Sequence, residues 1–183
     1  EPGKRVLILD TGHPDLCGFE ALDGVEKTLR IPWSNIEVFL SHFHDDHDGN
    51  LLYCVQKGAS KLYSGPTQID SRALIDNFLV LSSSADLKSD SASSFIRLVA
   101  AGKKAQGSRI ELHGGETLSI AGYHFDVLLT PGHTSNHLCL LDKSKKIFFA
   151  GDHICDAPPG CMQYAINDHL IARYLESLAQ LKE

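Results

Sequence analysis

The sequence feature that most constrains this chain is a run of histidines and aspartates placed directly after a short apolar segment. The run is SHFHDDHDGN, residues 41–50, and the apolar segment is Ile36–Leu40. A solvated charged loop would explain the aspartates, but it would not explain three histidines at positions i, i+2 and i+5. Rigid sheets position the loops at their strand ends, where functional residues are concentrated. The sequence therefore predicts a buried strand that ends in a functional site.

Strand-type and helix-type segments alternate through the first half of the chain. A mostly apolar run such as RVLILD is typical of a strand buried on both faces, and Gly58 is placed to end a helix. The predicted strands of this half are Arg5–Asp10, Ile36–Ser41 and Lys61–Ser64. The predicted helices of the whole chain are Phe19–Leu29, Asn50–Lys57, Thr67–Leu81, Phe95–Ala101 and Asn167–Leu181.

From Arg109 onward the pattern is that of β-strands joined by tight turns. The strand segments are RIELH, TLSIAG, YHFDVLLT, HLCLLD and KIFFAGD. The last two are predicted to form a hairpin around Lys143–Lys145. The final helix is predicted to have Asn167 as its N-cap and an apolar face. That face consists of Leu170, Ile171, Tyr174, Leu175, Leu178 and Leu181.

The length of the chain predicts one domain, residues 1–183, with a real hydrophobic core. One low-complexity stretch stands out, SSSADLKSDSASS at residues 82–94, and the two helices predicted on either side of it carry apolar side chains. Residues 66–108 are too long for a plain connection between strands. They are predicted to form a helical insertion or lid over the functional site.

Charge and cysteine usage exclude several classes of protein. The net charge is −6 with an isoelectric point near 5.9, and an acidic surface repels nucleic acid. The sequence has no apolar run of the roughly 20 residues that span a bilayer and no signal-peptide pattern. Its five cysteines are scattered without a C-x-x-C pair, which favours reduced thiols in a cytoplasm. We therefore expect a cytoplasmic protein that binds neither nucleic acid nor membrane.

Two further segments carry residues of the metal-ligand type at predicted strand ends. One is TPGHT, residues 130–134, and the other is GDH, residues 151–153. Alternation in an extended chain sends His42 and His44 to the same side, so both can hold one cation. Imidazole nitrogens and carboxylate oxygens suit zinc at roughly 2.0–2.2 Å, and iron and manganese accept the same donors.

These motifs together resemble the metallo-β-lactamase superfamily of metallohydrolases. The resemblance rests on H-x-H-x-D-H, T-P-G-H-T and a strand-end G-D, with Asp10-Thr11-Gly12 similar to the opening D-T-G element of that family. The nearest subgroup is the glyoxalase II-like hydrolases. The resemblance implies an α/β fold, a four-layer αββα sandwich with the metals at one edge of the paired sheets.

The resemblance also implies a ligand set and a reaction. Two zinc ions are expected, with iron or manganese as alternatives. Asp46 is also expected to orient the nucleophile, a metal-bound hydroxide that attacks an ester, thioester or lactone carbonyl of a small molecule. His137 is expected to support the site and Asp10 to organise it by hydrogen bonds. The first metal is expected on His42, His44 and His133, the second on Asp46 and His47, with Asp152 bridging the two.

Two other functions are left open by the sequence. A persulfide dioxygenase would use a single iron on two histidines and one aspartate, His42, His133 and Asp152 or a similar subset, leaving Asp46 and His47 idle. A catalytically silent metal-binding scaffold would keep the fold without the reaction. The segment after the bridging aspartate, HICDAPPGCMQY, departs from true glyoxalase II enzymes, so the substrate is left open, as is a homodimer.

The resemblance finally predicts that the fold is truncated at both ends. The family opens with a β-hairpin before the D-T-G strand, which here begins within five residues of Glu1. It closes with a further histidine after a helix like Asn167–Leu181. The second metal site is therefore expected to be incomplete in these 183 residues.

Overall fold

A computed structural model describes residues 4–14, 18–66, 109–155 and 170–182. Its strands form two four-stranded sheets, with helices among them. The expectation of an α/β fold built on two sheets is confirmed. The helices predicted at Thr67–Leu81 and Phe95–Ala101, the insertion or lid after Pro66, and the N-cap Asn167 lie outside the described residues.

The first sheet is parallel and contains all three strands predicted in the first half of the chain. Its strands, in spatial order, are β1 (Val6–Leu9), β2 (Ile36–Phe39), β3 (Lys61–Ser64) and β4 (Arg109–Glu111). Parallel neighbours require crossover connections, which are usually helical. The helices along these connections are α1 (Gly18–Leu29), α2 (Asp45–Asp48) and α3 (Leu51–Lys57). Gly58 ends α3 with a left-handed φ of 100°, as predicted.

The second sheet is an antiparallel meander of four strands. These are β5 (Thr117–Ile120), β6 (Tyr123–Leu129), β7 (Leu138–Asp142) and β8 (Ile147–Phe149). Asp142 pairs with Ile147, so the predicted hairpin around the intervening lysines is confirmed. The RIELH segment, in contrast, joins the first sheet as β4.

The core lies on both faces of the first sheet. On one face, Ile8, Val38 and Leu62 cluster with residues of the helices that include Leu22 and Leu51. On the other face, side chains of both sheets meet in one cluster of Phe39, Tyr63, Leu112, Leu118, Ile120, Phe125, Val127, Leu138 and Leu140. Each large apolar side chain buried here stabilises the fold by about 1.5–3 kcal/mol. This packing fixes the edge at which β2 and β6 end.

The last helix, α4 (Leu170–Gln180), forms as predicted, and the predicted apolar face is packed in part. Tyr174, Leu178 and Leu181 of that face are partly buried. Ile171 and Leu175 are 64% and 60% exposed, whereas Ser177 is 2% exposed. The reason is that polar contacts also orient this helix, as described below for Tyr174 and Ser177. Within the described part of the chain, no helix has the length and apolar character needed to cross a membrane.

Candidate metal centre

Three histidine rings converge at the edge where β2 and β6 end. His42 Nε2 lies 2.9 Å from His44 Nδ1, and His133 Nε2 lies 3.1 Å and 3.0 Å from these two atoms. His42 and His44 follow β2, whereas His133 follows β6, and the two sheets are joined here by a 2.8 Å hydrogen bond from Leu138 N to Ser41 O. The fold thus brings together residues that are about half of the chain apart.

A second group of ligand atoms adjoins the first and shares His42 with it. The group consists of His42, His47 and Asp152, whose ligand atoms lie within 4.8 Å of one another. His47 Nε2 is 3.2 Å from Asp152 Oδ1 and 3.5 Å from Asp46 Oδ2. Asp152 also approaches the first group, because its Oδ2 is 3.6 Å from His133 Nε2. Asp152 therefore lies between the two groups, and Asp46 lies beside the second group with its side chain 62% exposed.

The short helix α2 explains how one ten-residue run supplies both groups. His44 is extended, with φ −126° and ψ 154°, so its ring falls on the same side as that of His42. The chain then turns, because the His44 carbonyl accepts hydrogen bonds from the N–H groups of His47 and Asp48. The turn brings the His47 ring to a centroid distance of 4.1 Å from the His42 ring.

Asp10 holds the histidine run from the neighbouring strand end. Leu9 pairs with Phe39 in the parallel sheet, so Asp10 lies at the same edge as Ser41. Its Oδ1 accepts a 2.7 Å hydrogen bond from Ser41 N, and its Oδ2 accepts hydrogen bonds from Ser41 Oγ and His47 Nδ1. Asp10 has a φ of +57°, a conformation in which aspartate and asparagine are enriched. The hydrogen bonds expected of Asp10 are present.

These contacts fix which nitrogen carries the proton in the neutral rings of His42 and His47. The Ser41 hydroxyl donates to Asp10 Oδ2 at 2.8 Å, so its oxygen can accept from His42 Nδ1 at 3.0 Å. His42 Nε2 then keeps a lone pair that faces the other rings. His47 likewise donates from Nδ1 to Asp10, so its Nε2 keeps the lone pair when the ring is neutral. Both rings are therefore in the tautomer that a metal requires.

His137 is buried behind the site and holds the backbone of Asp152. Its Nε2 accepts the Asp152 N–H at 3.2 Å, so its Nδ1 carries the proton and donates to Thr130 Oγ1 at 2.9 Å. Gly151 has a φ of +50°, and a Cβ there would lie 2.7 Å from His137 Nε2. With both nitrogens engaged, His137 supports the site, in agreement with the sequence expectation.

Burial and carboxylates divide the histidines into neutral and charged rings. Burial, with repulsion among the rings, moves the pKa of His42 far below its usual range and lowers the pKa of His44. Burial likewise lowers the pKa of His137 to about 2. Burial also disfavours charge on His47, but the hydrogen bond that its ring donates to Asp10 and the nearby carboxylates outweigh this effect and raise its pKa to about 8. The His47 ring is therefore stabilised in its protonated form and has to lose that proton when it binds a metal.

The donor set fits a divalent cation. Ligands held roughly 2.0–2.1 Å from a tetrahedral zinc stand roughly 3.3 Å apart, and the three converging nitrogens stand 2.9–3.1 Å apart. Neutral rings with inward lone pairs are the form in which histidine binds metals. Three carboxylates, those of Asp10, Asp46 and Asp152, surround His47 and supply negative charge.

The comparison with protein families agrees with this geometry. The family model described as the metallo-beta-lactamase superfamily matches residues 1–183. The chain belongs to the metallo-beta-lactamase superfamily. The resemblance noted from four short motifs is thereby confirmed at the level of the superfamily.

Several solved structures have a similar fold at low sequence identity. A metallo-beta-lactamase family protein of Thermus thermophilus, TTHA1429, is 19% identical with a TM-score of 0.65, over 96% of this chain and 60% of that protein. Metallo-beta-lactamase IND-7 is 21% identical with a TM-score of 0.61, over 98% of this chain and 68% of that one. TTHA1623, in a di-iron-bound form, is 23% identical with a TM-score of 0.58, over 94% of this chain and 73% of that one. The chain thus spans 60% of the length of the Thermus thermophilus protein TTHA1429.

The structure brings all six predicted site residues to one edge of the superfamily fold, with different degrees of contact. His42, His44 and His133 form one group, and His42, His47 and Asp152 form the other, whereas Asp46 is adjacent to the second group and not a member of it. Sequence reasoning missed the two hydroxyl groups behind the rings, those of Ser41 and Thr130. Their positions, directly before His42 and at the start of TPGHT, are the signal that could have found them.

Proposed function

We propose that this chain is a metal-dependent hydrolase that attacks the carbonyl of a small ester, thioester or lactone. The observation that carries the proposal is the pair of adjoining ligand groups that share His42. Such a pair suits two cations, and two-metal sites are a recurring device for activating water and stabilising the charge that develops in hydrolysis. Zinc is the metal we propose for both groups, because the donors are mostly imidazole nitrogens.

The residues of the chain divide the work of such a reaction. A divalent cation, when bound, supplies Lewis acidity toward a carbonyl and makes water a better nucleophile at neutral pH. Asp46 has a largely exposed carboxylate next to His47, so it is able to accept a hydrogen bond from the attacking water and to orient it. Asp10 and His137 hold the rings and the Asp152 backbone and do not meet the substrate.

The proposed substrate class is inferred from the glyoxalase II-like motifs. H-x-H-x-D-H-x-G-N and T-P-G-H-T favour a carbonyl substrate, and the different segment after Asp152 argues against the glutathione thioester in particular. A cytoplasmic location is also proposed, supported by Cys54 and Cys139, which are buried without forming a disulfide. The acidic net charge argues against a nucleic-acid partner, and a homodimer is a further proposal for direct measurement.

The rival single-iron oxygenase is tested by the same preparation. TTHA1623 is a di-iron-bound neighbour, so iron has to be assayed beside zinc. Against a single-iron site stands the contact of His47 with Asp152 at 3.2 Å, since His47 would then have no role at the metal. The silent scaffold would bind metal without turnover.

The deciding experiment joins metal analysis with a substrate panel. The purified protein is loaded with zinc, iron or manganese and assayed against aryl esters, thioesters and lactones, with persulfide consumption and sulfite production measured in parallel. We expect hydrolysis of at least one carbonyl class that is lost on chelation and restored by metal. One iron per chain with sulfite production would overturn the hydrolase proposal, as would full hydrolysis after chelation and dialysis.

A further inference from the structure

The helix α4 contacts both loops that carry ligands from the second sheet. Ser177 Oγ donates a 2.8 Å hydrogen bond to the carbonyl of Pro131, two residues before His133. Tyr174 Oη donates a 2.8 Å hydrogen bond to the carbonyl of His153, next to Asp152. One turn of this helix thus contacts the backbone near His133 and the backbone next to Asp152.

Tyr174 is in addition packed tightly between the two loops. A Cβ placed on Gly132 would lie 2.7 Å from Tyr174 Cα and 2.6 Å from its Cβ, so the helix backbone approaches the His133 loop as closely as a glycine allows. The Tyr174 ring lies 4.8 Å, centroid to centroid, from the buried ring of His153. The approach leaves the helix little freedom to slide along either loop.

The exposure of its side chains shows which face of the helix is packed. Ser177 is 2% exposed although serine is polar, while Ile171 and Leu175 are more than half exposed. Tyr174, Leu178 and Leu181 are partly buried on the same side as Ser177, so this face of the helix combines apolar packing with polar contacts. The hydrogen bonds of Tyr174 and Ser177 therefore lie on the packed face of α4, where they can fix its position against the loops.

We propose that Tyr174 and Ser177 are positioning residues for the metal centre, each acting on one ligand group. Ser177 fixes the loop of His133, which belongs to the group of three histidines. Tyr174 fixes the turn of Asp152, which belongs to the group with His47. The inference rests on the proposed function, because it presumes that both groups bind cations.

Two substitutions test the two halves of the proposal against each other. Tyr174→Phe keeps the packing on Gly132 and removes only the hydroxyl. It should lower the zinc affinity of the group that contains His47 about 10-fold and change the affinity of the three-histidine group less than about 2-fold. Ser177→Ala should do the reverse. Zinc affinities are measured by chelator competition, and cobalt spectra of His44→Ala and His47→Ala proteins assign each affinity to its group.

Matched controls remove equivalent hydrogen bonds away from the site. Tyr53→Phe removes a helix hydroxyl that donates to Asp23 at 2.5 Å, and Ser60→Ala removes a hydroxyl that donates to the Ile36 carbonyl at 3.0 Å. Both should leave the two affinities unchanged. If Tyr174→Phe and Ser177→Ala shift both affinities equally, or shift them no more than these controls do, the proposal is wrong.

Hydrogen exchange in the metal-free protein separates this inference from the proposed function. Tyr174→Phe should speed exchange in peptides covering 151–154, and Ser177→Ala in peptides covering 130–134. A wild-type protein that binds no divalent cation would overturn the proposed function. The two exchange patterns would still decide whether α4 positions the loops, and unchanged exchange in both variants would reject that role.

Discussion

Asp10 Oδ2 lies 2.9 Å from His47 Nδ1, and the same oxygen accepts the Ser41 hydroxyl that in turn contacts His42. A single carboxylate therefore orients one ring in each ligand group. We predict that Asp10→Asn lowers zinc affinity about 10- to 100-fold, because an amide oxygen accepts these bonds more weakly and its NH2 faces donors.

The asparagine variant is suited to this test because asparagine also tolerates the positive φ of +57° at this position. Asp126→Asn, which removes a surface carboxylate paired with Lys143, is the control. Isothermal titration with zinc measures the effect, and equal affinities for the two variants would reject the role given to Asp10.

Substitutions of His133 and Asp46 are predicted to have different effects on metal content and on kcat. His133→Ala removes a nitrogen of the three-histidine group, so it should lower both metal content and hydrolysis. Asp46→Asn should retain most of the metal, since Asp46 lies beside its group, while kcat falls about 100-fold or more. Metal content and kcat are measured on the same samples, and an Asp46→Asn protein with wild-type kcat would remove Asp46 from the mechanism.

Metal titration is predicted to show one tight site and one weaker site. The first group has three imidazoles within 3.1 Å of one another, whereas the second has two donors of its own, His47 and Asp152, with Asp46 nearby. A cation at the second group therefore has fewer protein ligands than the four that structural zinc prefers. Two equally tight sites would show that a further ligand completes the second group.

The position of the histidines was predictable because it depends on local chain geometry. Alternation after a buried strand predicted that His42 and His44 share a side, and their facing nitrogens lie 2.9 Å apart. The roles of Ser41 and Thr130 were not predictable in this way, because a hydroxyl next to a histidine has many partners available to it. Their bonds depend on how Asp10 and His137 meet them from the neighbouring strand of the same sheet.

The packed face of α4 marks the limit of periodicity as a guide. Leucines at helical spacing predicted an apolar face, yet Leu175 is 60% exposed. Hydrogen bonds to Pro131 and His153 orient the helix, and these partners are distant in sequence. A pattern within one helix contains no information on such partners.

The stability of the fold is predicted to depend on pH through Asp142. The hydrogen bond from Ser144 Oγ is the main reason that the pKa of Asp142 is lowered to about 2, with the N–H groups of Lys145 and His124 adding to it. A lowered folded-state pKa stabilises the fold above the unfolded value near 3.9, and this contribution is lost as the pH falls through about 2.

Urea unfolding of Asp142→Asn and wild type at about pH 7 and about pH 3 tests this dependence. The difference in free energy of unfolding should be large at the higher pH and clearly smaller at the lower pH. If wild type and Asp142→Asn differ in free energy of unfolding by the same amount at both pH values, the charge of Asp142 does not contribute to stability.

The three-histidine group joins the end of β2 in one sheet to the end of β6 in the other, across 91 residues of sequence between His42 and His133. A cation bound there would act as a crosslink between the two halves of the chain, and its loss would be coupled to unfolding. By mass action, a ligand at 100 times its dissociation constant stabilises the native state by about 2.7 kcal/mol. The melting temperature of this protein should therefore rise with the concentration of free metal, so that metal supply would set its half-life against unfolding and proteolysis.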